Sequence, residues 1–167
     1  NLGNAYRDDH QVDQAIAHFT RAVELDPDNL NALFNLGQAH VSQKDWSRAT
    51  EAFVAVVKRA PQDAEAQAVL ADTAFQARSY AIARNACEAA RQAAPDNAEL
   101  TLLHAEIASC MSDFETAIAF YDTLLAGQPG NSAWMLAKAA NQRAMGDVEG
   151  ALATYTAAVE SDPTAPV

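Results

Sequence analysis

Residues 30–63 read LNALFNLGQAHVSQKDWSRATEAFVAVVKRAPQD. Leu33, Leu36 and His40 recur at three- and four-residue steps, and so do Ala49, Phe53 and Val56. That is the spacing of one face of an α-helix. The stretch therefore predicts a first helix over Leu30–Ser42 and a second over Ser47–Arg59, with the chain turning at Lys44-Asp45. Pro61 stops the second helix, because it has no N–H and its ring clashes with the preceding turn. Asp63 follows two residues later as an N-cap, its side-chain oxygen placed to accept from the free N–H groups of the next helix.

Outward from this stretch the pattern repeats. Pro27, Pro61, Pro95, Pro129 and Pro163 are each 34 residues apart. The same step relates Ala15, Ala49, Ala83, Ala117 and Ala151, and also Phe19, Phe53, Cys87, Tyr121 and Tyr155. It relates Ala22, Val56, Ala90, Leu124 and Ala158 as well, and Val12, Trp46, Tyr80, Phe114 and Val148. Asn29, Asp63, Asn97 and Asn131 are the corresponding N-caps. The chain, residues 1–167, is thus read as one array of units 1–29, 30–63, 64–97, 98–131 and 132–165. Gly3, Gly37, Ala71, Ala105 and Ala139 supply a small residue where one helix approaches its neighbour. One helix pair cannot bury such a face alone, so neighbouring pairs must stack. The first unit is short at its start and nothing after Pro163 reads as a capping helix. A fragment of a longer protein is expected, as is self-association through apolar ends.

Composition agrees with an all-helical chain. Half of the 167 residues are apolar, alanine is close to a quarter, and glycine and proline number 6 each. No apolar run approaches the roughly 18 residues that cross a membrane, so no direct membrane insertion is expected. Eleven basic residues against 22 acidic ones give a net charge of -11. Nucleic acid is excluded as a partner on that balance, since phosphate binding needs a basic face. Asn1–His10 carry no signal-peptide pattern, but a fragment can lack its targeting signal, so the compartment is left open with cytoplasm ahead of periplasm. The alanine bias hints at a bacterial, GC-rich source.

These motifs resemble the tetratricopeptide repeat. Its pattern of Leu-Gly-x2-Tyr, Ala-x3-Phe and Pro at a 34-residue period is matched by Leu2-Gly3-x2-Tyr6, Ala15-x3-Phe19 and Pro27. Leu36-Gly37-x2-His40, Ala49-x3-Phe53 and Pro61 match it again. The fourth and fifth units keep the second-helix half, while His104-Ala105 and Lys138-Ala139 replace Leu-Gly and Trp134 sits one place early. The resemblance implies an all-α, right-handed α-solenoid of antiparallel helix hairpins. It also implies a non-enzymatic protein–protein interaction scaffold whose first helices line a concave groove.

The residues themselves give no catalytic constellation. Phosphate-loop, dinucleotide, zinc-protease and serine-elbow motifs are absent. His40 and His104 fall on core positions, His18 on a second helix and His10 in a turn, and no two share metal-ligand spacing. Cys87 and Cys110 read as buried small hydrophobes. Asp8-Asp9 and Asp26-Pro27-Asp28 read as solvated turns or helix ends. No enzyme activity, metal or cofactor is expected.

Carried over from the family, the groove comprises Asn4, Asn31, Phe34, Asn35, Gln38, Glu65, Asp72, Phe75, Glu99, Leu102, Leu103 and Glu106. Asparagine amides both donate and accept, so they can hold a peptide backbone whatever its side chains. Glu65, Asp72, Glu99 and Glu106 among apolar neighbours suit a segment with basic and apolar residues. Asn4 and Asn35 resemble part of the clamp with which some chaperone co-factors grip an acidic tail. Glu65 and Val69 stand where that clamp needs basic residues, so an acidic tail is disfavoured. Two further readings remain open: an arm of a glycosyltransferase- or sulfotransferase-like enzyme or polysaccharide secretion protein, and a self-assembling scaffold.

Overall fold

The structure is a computed structural model, and it describes residues 9–162. Leu2, Gly3, Asn4, Tyr6 and Pro163 lie outside the described residues. The described residues form nine helices and no strand: α1 Asp9–Leu25, α2 Leu30–Ser42, α3 Trp46–Arg59, α4 Ala64–Gln76, α5 Tyr80–Ala93, α6 Ala98–Cys110, α7 Phe114–Gly127, α8 Ser132–Met145 and α9 Val148–Ser161. First helices start at 30, 64, 98 and 132 and second helices at 46, 80, 114 and 148, so both series keep the 34-residue step of the sequence. The fold class is an all-α helical-repeat solenoid.

The caps explain the boundaries. Asn29, Asp63, Asn97 and Asn131 each accept from N–H groups of the following first turn, at 2.9–3.1 Å. The second helices α3, α5 and α7 end two residues before a proline, as expected where the residue ahead of proline is pushed out of the helical region. Within each hairpin the turn is a left-handed closure. Lys44, Arg78, Ser112 and Gly146 have φ of 58°, 58°, 61° and 95°. The N–H of the residue after each donates back to the first helix, Asp45 to the His40 carbonyl, Ser79 to Ala74, Asp113 to Ala108 and Asp147 to Gln142. This is a Schellman motif at each of the four turns.

The chain forms two compact units, one ending at Ala93 and one beginning at Ala94. In the first, α1 packs on α2, α2 on α3, α3 on α4 and α4 on α5, and in the second α6 packs on α7, α7 on α8 and α8 on α9. In the first unit Leu33, Val56 and Ala66 form a buried cluster with Val23, Phe34, Ala55 and Val57 against it. In the second, Ala105, Ala108, Ala117, Tyr121 and Leu124 are buried together, with Leu102, Phe120, Trp134 and Ala137 against them. Burial of one such large side chain contributes about 1.5–3 kcal/mol. The Ala15 series is buried throughout, and Phe53 is fully buried opposite Gly37.

Some expectations need correction. His10 lies inside α1 rather than in a turn. Its repeat equivalents Lys44, Arg78, Ser112 and Gly146 turn left-handed, whereas α1 already begins at Asp9. Cys110 is exposed, being the last residue of α6, whereas Cys87 is buried. The second helix of the quoted unit starts at Trp46, one residue before Ser47, because Asp45 caps it through the Arg48 N–H at 3.1 Å. Val148, in the series of Trp46, is 67% exposed.

Candidate functional site

The first helices carry the groove positions. α2 places Asn31, Phe34, Asn35 and Gln38 at i, i+3, i+4 and i+7, which is one stripe of helix surface. Asn31, Asn35 and Gln38 are exposed and Phe34 is half-buried. The Phe34 ring meets Phe53 edge to face, with centroids 5.3 Å apart and planes at 70°. Its inner edge thus belongs to the core, and its outer edge is what a ligand can reach. Asn4 lies outside the described residues.

On α4, Glu65 and Asp72 are exposed and seven residues apart, so they share a face. Glu65 occupies the first turn, where the helix dipole favours a carboxylate. Phe75 is half-buried, its ring centroid 6.0 Å from that of Tyr80. α6 repeats the arrangement in the second unit. Glu99 is exposed in its first turn, and Leu102, Leu103 and Glu106 are half-buried. Burial raises the Tyr121 phenol pKa, the Glu106 charge pushes the same way, and a hydrogen bond with Ser109 opposes them. α2, α4 and α6 contain no lysine or arginine. On α8, Lys138 pairs with Asp122 of α7 at 2.6 Å.

His40 and His104 are both 7% exposed, as their core positions predict. His104 stacks on Phe120 at 4.5 Å. Burial holds the His40 imidazole below the ordinary histidine value, with the Asp45 charge opposing. Among the described residues no group of three or more His, Cys, Asp or Glu is gathered as a metal site, and no helix is long and apolar enough to cross a membrane.

Sequence reading did not find two clefts away from the groove positions. One, of about 260 Å³, lies beside Pro61, Gln67 and Gln92. The other, of about 310 Å³, lies beside Pro95, Asp96 and Trp134. They are the same place one repeat apart, where the proline link passes the end of a second helix. The signal for them is the invariant proline step, which by itself reads only as a helix stop.

Models of the tetratricopeptide repeat match residues 6–73 and again 102–166. The chain belongs to the tetratricopeptide repeat family. No curated protein matches it in sequence. Among solved structures, a MamA protein superposes with a TM-score of 0.80 at 20% identity, covering 96% of this chain and 88% of that one. MamA from Desulfovibrio magneticus RS-1, residues 41 to the end, gives 0.75 at 18%, covering 94% and 89%. YrrB, described as a tetratricopeptide repeat protein with an unusual peptide-binding site, gives 0.80 at 15%, covering 93% and 80%. At these identities the likeness is one of fold. Tetratricopeptide repeat proteins are generally non-enzymatic scaffolds for other proteins, and this array has their architecture.

Proposed function

We propose that the array binds a protein segment on the exposed face of its first helices, and that the segment carries basic and apolar residues. The observation that carries this reading is the charge of those helices. α4 and α6 each present carboxylates beside half-buried apolar side chains, with no lysine or arginine on either. Asn31, Asn35 and Gln38 on α2 offer amides to a peptide backbone. The peptide-binding site ascribed to YrrB, a structure of the same fold, supports the same use here. Apolar anchors such as Phe75 supply most of the affinity, while the carboxylates set orientation and encounter rate.

A peptide-array screen at two salt concentrations tests this. Hits should be rich in lysine or arginine next to apolar residues. Changing Glu65 and Glu99 together to lysine should weaken them modestly, by about 0–1 kcal/mol per exposed pair, and flatten the salt response. Phe75→Ala should cost about 1–2 kcal/mol. Acidic hits, or hits indifferent to all three substitutions, would discard the assignment.

A second reading, self-assembly, has its own observation. Val148, Leu152 and Val159 on α9 are 67%, 68% and 39% exposed. They recur at four and seven residues, so they form one apolar stripe. Sedimentation across a concentration series, with Leu152→Lys as the control, tests it. Association that the lysine leaves untouched would remove α9 from the contact.

A further inference from the structure

We propose that the cleft beside Trp134 is a docking site for an arginine side chain of a partner protein, separate from the groove. None of its lining residues is a groove position, so the proposal stands independently of the groove reading. The cleft has a volume of about 310 Å³ and lies wholly within the second unit. Pro95 and Trp134 give it apolar walls, and Gly127 leaves one side bare. A Cβ added at Gly127 would meet no heavy atom within 4 Å. Trp134 is half-buried, packed on the Tyr121 cluster with one side and lining the cleft as well.

The polar groups define the ligand. Asp96 is a carboxylate on the cleft and gives it its only charge, since no lysine or arginine lines it, and the Gln128 amide also lines it with its Oε1 accepting from Asn131 at 3.4 Å. The Thr101 hydroxyl donates to the carbonyl of the N-cap Asn97 and the Thr123 hydroxyl to that of Ala119 in its own helix, both at 3.0 Å. What they have left for a ligand is lone pairs. The ligand is therefore a donor, positively charged, with an apolar stem. A guanidinium meets all three requirements, because it lies flat on an indole and directs several N–H groups sideways to a carboxylate. The sister cleft beside Pro61 supplies the internal contrast. It has glutamines at 62, 67 and 92, with neither an acid nor an aromatic ring on its lining. The repeat produces the hollow, and the pair Asp96 and Trp134 gives the later copy its selectivity.

Titration of the ¹⁵N-labelled chain with N-acetyl-arginine methylamide tests the assignment. The Trp134 indole N–H and the Gly127 amide should shift saturably, at millimolar ligand. The citrulline and lysine analogues should shift them little, since one lacks the charge and the other the flat face. Asp96→Asn, an exposed position, should weaken binding by about threefold or more. Gly127→Leu should fill the hollow and abolish the shifts with the helical spectrum retained. Citrulline or lysine acting as strongly as arginine would overturn the proposal. So would an unchanged titration in Asp96→Asn, or equal shifts at Gln67 and Ala89 beside Pro61.

Discussion

A methyl group placed on Gly37 would lie 2.7 Å from Cζ of Phe53 and 2.8 Å from its Cε1. The phenyl ring of α3 therefore fills the space that a side chain on α2 would need. Phe53 is fully buried and stacked edge-on by Phe34, so it has nowhere to retreat. Gly37→Ala should destabilise the chain by about 1–3 kcal/mol through overpacking. Phe53→Leu in the same chain should return part of that loss. Urea midpoints of the two single variants and the double give the coupling. Additive losses would mean that the two residues do not share this space.

The four hairpin turns offer a test on the backbone. Lys44, Arg78 and Ser112 adopt left-handed φ with a side chain, and only Gly146 does so without one. A Cβ in that region is strained, so Ser112→Gly should raise stability by up to about 1 kcal/mol. Gly146→Ala should lower it by a similar amount, although an added Cβ there meets nothing within 4 Å. Thermal midpoints of both variants check the sign.

His40 predicts an acid sensitivity. Its Nδ1 is buried without a hydrogen-bond partner, and burial lowers its pKa from 6.5, reinforced by Arg48 and opposed by Asp45 and Glu51. The folded state thus binds the proton less readily than the unfolded chain. Stability from the neutral ring is intact above the unfolded value of about 6.5. It is lost progressively as pH falls below that value toward the folded pKa. His40→Phe should flatten the stability difference between pH 7.5 and 5.5. Parallel pH profiles for the two proteins would contradict the burial of a neutral ring.

The two cysteines should separate by reactivity. Cys87 is buried, and burial pushes its thiol up to about 11, with Arg91 pulling the other way. Cys110 is exposed. Iodoacetamide at pH 8 should label Cys110 within minutes and Cys87 only at the rate at which the α4–α5 hairpin opens. Equal labelling rates would mean that Cys87 is not sealed in that hairpin.

The helices were legible because one period controls several kinds of residue at once. Proline, cap and small residue agree at every step, so the starts at Leu30, Ala64, Ala98 and Ser132 follow from sequence. His10 was not legible. Its repeat equivalents Lys44, Arg78, Ser112 and Gly146 are turn residues, so the 34-residue step places it in a turn, whereas α1 begins at Asp9. Cys110 was misread because a small apolar residue at a helix end packs or faces water with equal ease. Phe34 shows why the groove stays partly hidden. A half-buried aromatic on a first helix has the same spacing whether its ring serves the core, a ligand or both. Trp134 had no aromatic counterpart in the other repeats, so no series could place it.

The turn aspartates serve two helices at once. The backbone N–H of Asp45 closes α2 and its carboxylate opens α3, and Asp113 and Asp147 do the same for their hairpins. A connector with no spare residue has no tolerance for slippage. Inserting or deleting one amino acid there would break a helix end and a helix beginning together, and would rotate everything downstream by about 100° of helix. A gene for such an array is thus constrained to grow or shrink by whole units, with single-codon insertions at the connectors selected against. The unbroken spacing of five prolines is the record of that arithmetic.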